Sequence, residues 1–161
     1  MTTISNLRRL SAAELSKLLL AEQSNDPTIA VIDVRDDDHI GGHIKGSMNV
    51  PSRTLDAMLP TLIRKLRNKK TVVFHCALSQ QRGPSAALRY LRERERILGG
   101  EQPLQGATTT KDGEGQTSKE PSEQEVYILD RGFVGWQEIY GRDERLTEAY
   151  RKELWEDGYW G

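Results

Sequence analysis

The sequence predicts an α/β fold: one domain built on a central, mostly parallel, five-stranded sheet flanked by helices. Three observations predict it. Segments rich in β-branched residues alternate with segments of helical period, the pattern of strands joined by crossover helices. Two extended segments, Thr28 to Arg35 and Thr71 to Cys76, are apolar almost without interruption, as strands covered on both faces are. Turn-rich stretches follow Arg35, Cys76 and Asp130. Right-handed crossovers bring all three to the carboxyl edge of the sheet, where the functional crevice of such folds lies.

The elements follow in order. A short extended piece opens the chain. Ser11 with Glu14 then forms a capping box, and Leu15, Leu18 and Leu19 give the stripe of a first helix. Thr28 to Arg35 is the first buried strand. "DDDHIGGHIKGS", with Gly41, Gly42 and Gly46, is turn chemistry. "SMNVP" is a short strand stopped by Pro51. Thr54 to Asn68 reads as a helix with Leu55, Met58, Leu59, Leu62, Ile63 and Leu66 on one side. Thr71 to Cys76 is the second buried strand. A helix from about Pro84 to Leu98 turns Ala86, Ala87, Tyr90 and Leu91 to the core. Residues 99–124 hold only Leu104 and Ala107 as non-glycine apolar residues, too little to offset the entropy of ordering them. They read as a flexible insertion. "EVYILD" restores a strand, and "RGFVGWQEIY" gives a turn and a short helix. The expected organisation is a domain over 1–145 with its insertion at 99–124, then an aromatic tail over 146–161. Tyr150, Leu154, Trp155, Tyr159 and Trp160 in that tail imply docking on the body or on a partner.

Composition narrows the function. Hydrophobic residues make up 36% and charged residues 29% of the 161, which fits a folded core diluted by a polar segment. A net charge of −1 gives no field that would draw the chain to nucleic acid or membrane. The basic run Arg64 to Lys70 precedes a strand and belongs on the edge opposite the crevice. No apolar run approaches the ~20 residues that span a bilayer, and no secretory signal opens the chain. The single cysteine excludes an internal disulfide, and no Cys/His cluster suggests a metal or cofactor. These features predict a reduced cytoplasmic or nuclear protein.

That cysteine lies in "VVFHCALSQQRGPSAA", at the end of the second buried strand. The chain must curl tightly between Cys76 and Pro84, which is well placed in a first helical turn. The amides of Ala77, Leu78, Ser79, Gln80 and Gln81 have no ladder partners there and form an anion nest at a helix N-terminus. Arg82 supplies a planar fork for two oxygens of a tetrahedral oxyanion. The same positive potential favours a thiolate at Cys76. The largest catalytic contribution of such a loop is preorganised charge stabilisation. Ser79 is placed to hydrogen-bond the thiolate, and Arg131, after the last strand, to contact substrate. His75 is expected to pack against the sheet. Residues 77–81 contain no acid, and Asp36, Asp37 and Asp130 read as turn residues.

Cys-x5-Arg at the end of a buried strand resembles the cysteine-dependent protein phosphatases. "VIDVRDDDHIGGHIKGSMNVP" resembles the first signature of the rhodanese fold. "HCALSQQRGPSAA" resembles the loop of the small rhodanese-fold phosphatases related to the cell-division-cycle dual-specificity enzymes, and of the eukaryotic arsenate reductases derived from them. "RGFVGW" is similar to the closing segment of that fold. The resemblance covers about Leu10 to Tyr140, outside the insertion. It implies a single rhodanese-like domain with Cys76 as the nucleophile that forms a phosphocysteine and Arg82 as the oxyanion clamp. The amides of 77–82 would line the cradle, and His43 would be structural. Sulfurtransferases of this fold carry a loop one residue shorter, so the five residues here favour phosphate or arsenate. Three readings stand. One is a phosphatase acting on a phosphorylated protein or a small oxyanion. Another is an arsenate reductase using an external thiol, glutathione with glutaredoxin, because no second cysteine is present. The last is a thiosulfate sulfurtransferase or non-enzymatic rhodanese binding module.

Overall fold

The computed structural model describes residues 7–22, 28–109 and 124–156, and the side chains of 99–109 lie outside that description. Strand β1 (Arg8–Leu10) leads into helix α1 (Ala12–Ala21), followed by β2 (Ile29–Asp33), β3 (His43–Ile44) and β4 (Met48–Asn49). A 3₁₀ turn (Ser52–Thr54) precedes α2 (Leu55–Lys65), then come β5 (Thr71–His75) and α3 (Arg82–Thr109). The chain closes with β6 (Glu125–Leu129), α4 (Gly132–Tyr140), β7 (Thr147–Glu148) and α5 (Lys152–Glu156). The capping box at Ser11 is formed in both directions, with Glu14 N donating to Ser11 Oγ at 3.0 Å and Ser11 N to Glu14 Oε1 at 2.9 Å.

Five strands form a sheet in the order β1-β6-β5-β2-β4, every pair parallel. The central strands carry apolar residues on both faces because helices cover both. Ala30, Ile32, Val72, Phe74, Val126 and Ile128 face α2 and α3, where Leu55, Leu59, Leu62, Ile63, Ala87 and Tyr90 are buried. Val31, Val73 and Leu129 face the other way, onto Leu15, Phe133, Val134 and Trp136. This alternation on two faces explains why β2 and β5 read as unbroken apolar runs.

Two boundaries differ from the sequence reading. Helix α2 ends at Lys65, because Leu66 leaves helical geometry (φ −97°, ψ 7°) and 66–68 form a turn instead of the last helical residues. Helix α3 continues past Leu98 through Gly99, Gly100 and Pro103 to Thr109, and local propensity does not account for that continuation. Residues 110–123, the rest of the expected insertion, lie outside the described residues, as do Tyr159 and Trp160.

A small antiparallel ribbon was not anticipated: β3 pairs with β7, His43 opposite Glu148 and Ile44 opposite Thr147. His43 Nε2 lies 3.0 Å from Glu148 Oε1. Leu146 and Trp155 are buried in the second core, and Trp155 Nε1 donates to Gly41 O at 2.9 Å. Tyr150 Oη donates to Gln137 Oε1 at 2.7 Å. The segment after 145 is therefore packed on the body as far as Trp155. Among the described residues no helix is long and apolar enough to cross a membrane.

Since β5 is the middle strand, with β6 and β2 beside it, the loop after β5 lies between the loops after its two neighbours. That placement brings residues 33–38, 76–82 and 130–134 together.

Candidate active site

Cys76 comes directly after β5, and α3 does not begin until Arg82. Ala77, Leu78, Ser79, Gln80 and Gln81 make the arc between them. Ser79 takes the left-handed conformation, φ 57°, which a residue with a Cβ adopts only when its surroundings enforce it. The bend aims its amide back at the thiol. Ser79 N donates to Cys76 Sγ at 3.2 Å, and Gly83 N donates to the same sulfur at 3.4 Å. Gly83 is the second residue of α3, so its amide is one of the donors a helix N-terminus leaves without an intrahelical partner. The sulfur thus sits in a nest of backbone N–H groups at the positive end of a helix. Cys76 is only 3% exposed, whereas Leu78, Gln80 and Gln81 face solvent. Ser79 is fully buried, and its Oγ has no hydrogen-bond partner.

Three neighbours hold the arc in place. The first turn of α4 donates to it, Phe133 N to Cys76 O at 3.0 Å and Val134 N to Ala77 O at 2.9 Å. Gly132 lets them come this close: it has φ 55°, and a Cβ there would fall 2.4 Å from Cys76 O and 2.5 Å from Ala77 O. From β1, Arg9 Nη2 donates to Ser79 O at 3.2 Å, while its Nη1 pairs with Asp130 at 3.3 Å. From β5, His75 Nδ1 donates to Cys76 O at 3.1 Å.

A buried charged set lies under this arc. Arg35 Nε and Nη2 bind both oxygens of Asp33 at 2.7–3.1 Å, and Nη2 also donates to Gly42 O at 2.9 Å. The Arg35 guanidinium lies 4.5 Å from the centre of the Phe133 ring. Burial opposes a charged Asp33, but the positive charge of the Arg35 fork and its hydrogen bonds to both oxygens hold the pKa below the ordinary value. His75 Nε2 is 3.8 Å from Asp33 Oδ2 and unpartnered, and burial pushes the pKa of this ring down, so it stays neutral. This set ties the end of β2 to the end of β5.

Arg82 meets the loop after β2. Its Nη1 and Nη2 bind Asp38 Oδ1 and Oδ2 at 2.8 and 2.7 Å, a two-pronged pair, and Nη1 lies 3.3 Å from Asp36 Oδ2. The hydrogen bonds from Arg82 lower the Asp38 carboxyl to about 2, and Asp38 in turn raises Arg82. Beside Arg82 a cleft of about 210 Å³ is lined by Ser52, Leu55, Gln81, Ser85 and Arg89.

The structure gathers Cys76, residues 77–81 and Arg82 into one arc. Arg131 is not among them: its guanidinium turns back along α4 to Glu138 Oε1 at 3.0 Å, and it is Gly132, Phe133 and Val134 that adjoin the loop. Asp130 pairs with Arg9, and Asp37 is engaged by Arg53 at 2.8 Å. Sequence reasoning missed two contributors. Arg9 sits in an arginine pair on a short strand, and Asp38 is the third of three consecutive aspartates, with nothing local to distinguish it.

Comparison with known proteins gives a consistent result. A model of the rhodanese-like domain matches residues 15–139. Arsenate reductase 2.1 of Oryza sativa subsp. japonica is 38% identical over 144 residues, covering 88% of this chain and 76% of the rice protein. The Cdc25-like phosphatase YCH1 of Saccharomyces cerevisiae is 30% identical over 168 residues, covering 95% of this chain and 97% of its own. The solved structure of Ygr203w, described as a yeast protein tyrosine phosphatase of the rhodanese family, superposes with a TM-score of 0.70 at 31% identity, covering 95% and 99% of the two chains.

Proposed function

The chain belongs to the rhodanese-like domain family, and from that premise we propose that it is a cysteine-dependent phosphatase of the Cdc25-like, dual-specificity kind. The carrying observation is the sulfur of Cys76 receiving two backbone N–H groups, with Arg82 at the start of the following helix. In the first step the Cys76 thiolate attacks phosphorus. The S–P bond forms, the P–O bond to the leaving group breaks, and the leaving oxygen takes a proton from water. In the second step water attacks the phosphocysteine, the S–P bond breaks, inorganic phosphate leaves, and the thiolate is restored. The amides of 77–81 and the Arg82 fork stabilise the three non-bridging oxygens as their charge develops, the contribution that dominates phosphoryl transfer. The substrate is a phosphorylated protein or a small phosphorylated molecule.

A second reading is favoured by the similarity to the rice arsenate reductase. Arsenate would form an ester on Cys76 with loss of water. Attack by an external thiol such as glutathione on the sulfur would then release arsenite and leave a mixed disulfide. A second thiol, glutathione or glutaredoxin, would reduce that disulfide and free Cys76. The outside thiols supply both electrons, since the chain has one cysteine.

The test is a panel: wild type and Cys76→Ser with an aryl phosphate, with arsenate plus glutathione and glutaredoxin, and with thiosulfate plus cyanide. Turnover of the aryl phosphate that disappears in Cys76→Ser is expected. Cys76-dependent turnover with thiosulfate alone would replace the phosphatase reading with a sulfurtransferase one.

A further inference from the structure

The Arg82 fork is held by a carboxylate of its own chain. Both of its terminal nitrogens bind the two oxygens of Asp38, the same two-pronged pattern that two oxygens of a tetrahedral oxyanion would use. We propose that Asp38 is a positioning residue: it holds the Arg82 fork, and a ligand enters the cradle only by displacing it. This rests on the oxyanion chemistry proposed for the site.

The two carboxylates around Arg82 are not equivalent. Asp36 is anchored, accepting from Ser52 Oγ at 2.6 Å and Arg53 N at 3.0 Å, and its side chain is only 15% exposed. It meets Arg82 through one oxygen at 3.3 Å. Asp38 supplies the closer, two-oxygen contact, its side chain is 32% exposed, and away from Arg82 it accepts from backbone alone, Asp36 N at 2.9 Å among them. Asp38 is therefore the partner that can swing into water, while Asp36 stays on the arginine and keeps its stem in place.

Charge decides what can take the place of Asp38. The resting set of Arg82, Asp36 and Asp38 sums to one negative charge. A monoanion that displaces Asp38 merely exchanges one single charge for another on the same fork, and it gains no attraction from the arginine. A dianion offers the fork twice the charge and also reaches the amides of the nest around Cys76. The pair thus sets a threshold, which a tetrahedral dianion, the charge state of a phosphate monoester, has the charge to overcome and a diester or other monoanion does not. It also weakens every anion by the cost of opening the pair, so removing the Asp38 charge should tighten binding.

The experiment reads binding without turnover, in the full chain carrying Cys76→Ser. Inorganic phosphate, at a pH where it is dianionic, and dimethyl phosphate, a monoanion, are titrated calorimetrically into this protein and into the same protein with Asp38→Asn or Asp38→Glu. Asp38→Asn should tighten phosphate by about three- to tenfold, the range for a partly exposed, well-formed ion pair. It should tighten dimethyl phosphate by a similar factor, because the cost of opening the pair is common to both anions, while Asp38→Glu, which keeps the charge, preserves both affinities. Unchanged or weaker phosphate binding in Asp38→Asn would overturn the proposal. A second measurement avoids substitution at Asp38. Nitrogen NMR of the Arg82 guanidinium should show hindered rotation in the free protein and a shift on adding phosphate, and a freely rotating guanidinium without phosphate would overturn the proposal. Failure here is distinguishable from failure of the phosphatase reading. Tighter phosphate binding in Asp38→Asn together with no Cys76-dependent turnover of aryl phosphates would sustain the role of Asp38 and remove the reading. Turnover with unchanged affinities would do the reverse.

Discussion

Gly132 and Ser79 shape the loop around Cys76 from opposite sides. Ser79 bends it from within, in a left-handed conformation (φ 57°) that sends its amide to the sulfur. It also buries a hydroxyl with no partner, a cost of ~1–3 kcal/mol that purely structural positions rarely carry. Gly132 bounds the loop from outside, because the first turn of α4 reaches the carbonyls of Cys76 and Ala77 only where no Cβ intervenes. A methyl at 132 would press on two backbone oxygens and sit at φ 55°, so neither clash nor strain can be relieved by turning a side chain. Gly132→Ala should therefore lose about 2–4 kcal/mol in urea unfolding and most of the Cys76-dependent turnover. Gly46→Ala is the control. Gly46 also has positive φ, 81°, but no atom lies within 4 Å of its added Cβ, so it should cost about 1 kcal/mol and leave turnover in place. Equal losses at the two positions would show that backbone strain alone, without contact with the loop, explains the effect at 132.

At the scale of elements, most of the sheet was legible because its signals are local. The apolar runs of β2 and β5, the capping box of α1 and the Cys-x5-Arg spacing each lie within a few residues of sequence. The rest depended on distant partners. β3 and β7 are two residues each, too short for any periodicity, and they exist only because they pair across a hundred residues of chain. Asp38 stands beside Asp36 and Asp37 with identical chemistry, and only the turn after β2 decides that it, rather than Asp37, faces Arg82. Arg131 illustrates the opposite error: its place after β6, beside residues that adjoin the loop, was read correctly, but side-chain direction is set by α4, whose Glu138 draws the guanidinium away. The length of α3 was underestimated, since glycine, proline and polar residues after Leu98 signal a break that the backbone does not make between Leu98 and Thr109.

For the whole molecule, the buried set of Asp33, Arg35 and His75 makes stability depend on pH. Burial lowers the pKa of His75 from 6.5, so the native state keeps the ring neutral while the unfolded chain protonates it. Below about pH 6.5 the unfolded state binds the extra proton, and stability falls as pH falls, by up to ~1.4 kcal/mol per pH unit from this residue. His39, also lowered by burial, adds in the same direction. The carboxylates act later: Asp33, Asp36 and Asp38 are lowered from 3.8, so their contribution is complete above that value and is lost as pH drops through their native values. Urea unfolding between pH 7 and 5 should show the first decline, and His75→Gln should flatten it; identical slopes for the two proteins would contradict a neutral buried His75. The central claim, that Cys76 is the nucleophile of a phosphoryl-transfer site, is tested most directly by trapping its intermediate. Wild-type protein mixed with an aryl phosphate, quenched within a turnover by denaturant at alkaline pH, where an S–P bond survives, and digested there, should yield the peptide containing Cys76 heavier by one phosphoryl group, with no such peptide from Cys76→Ser. Aryl phosphate turnover with that peptide unmodified at every quench time, or turnover undiminished in Cys76→Ser, would contradict the account.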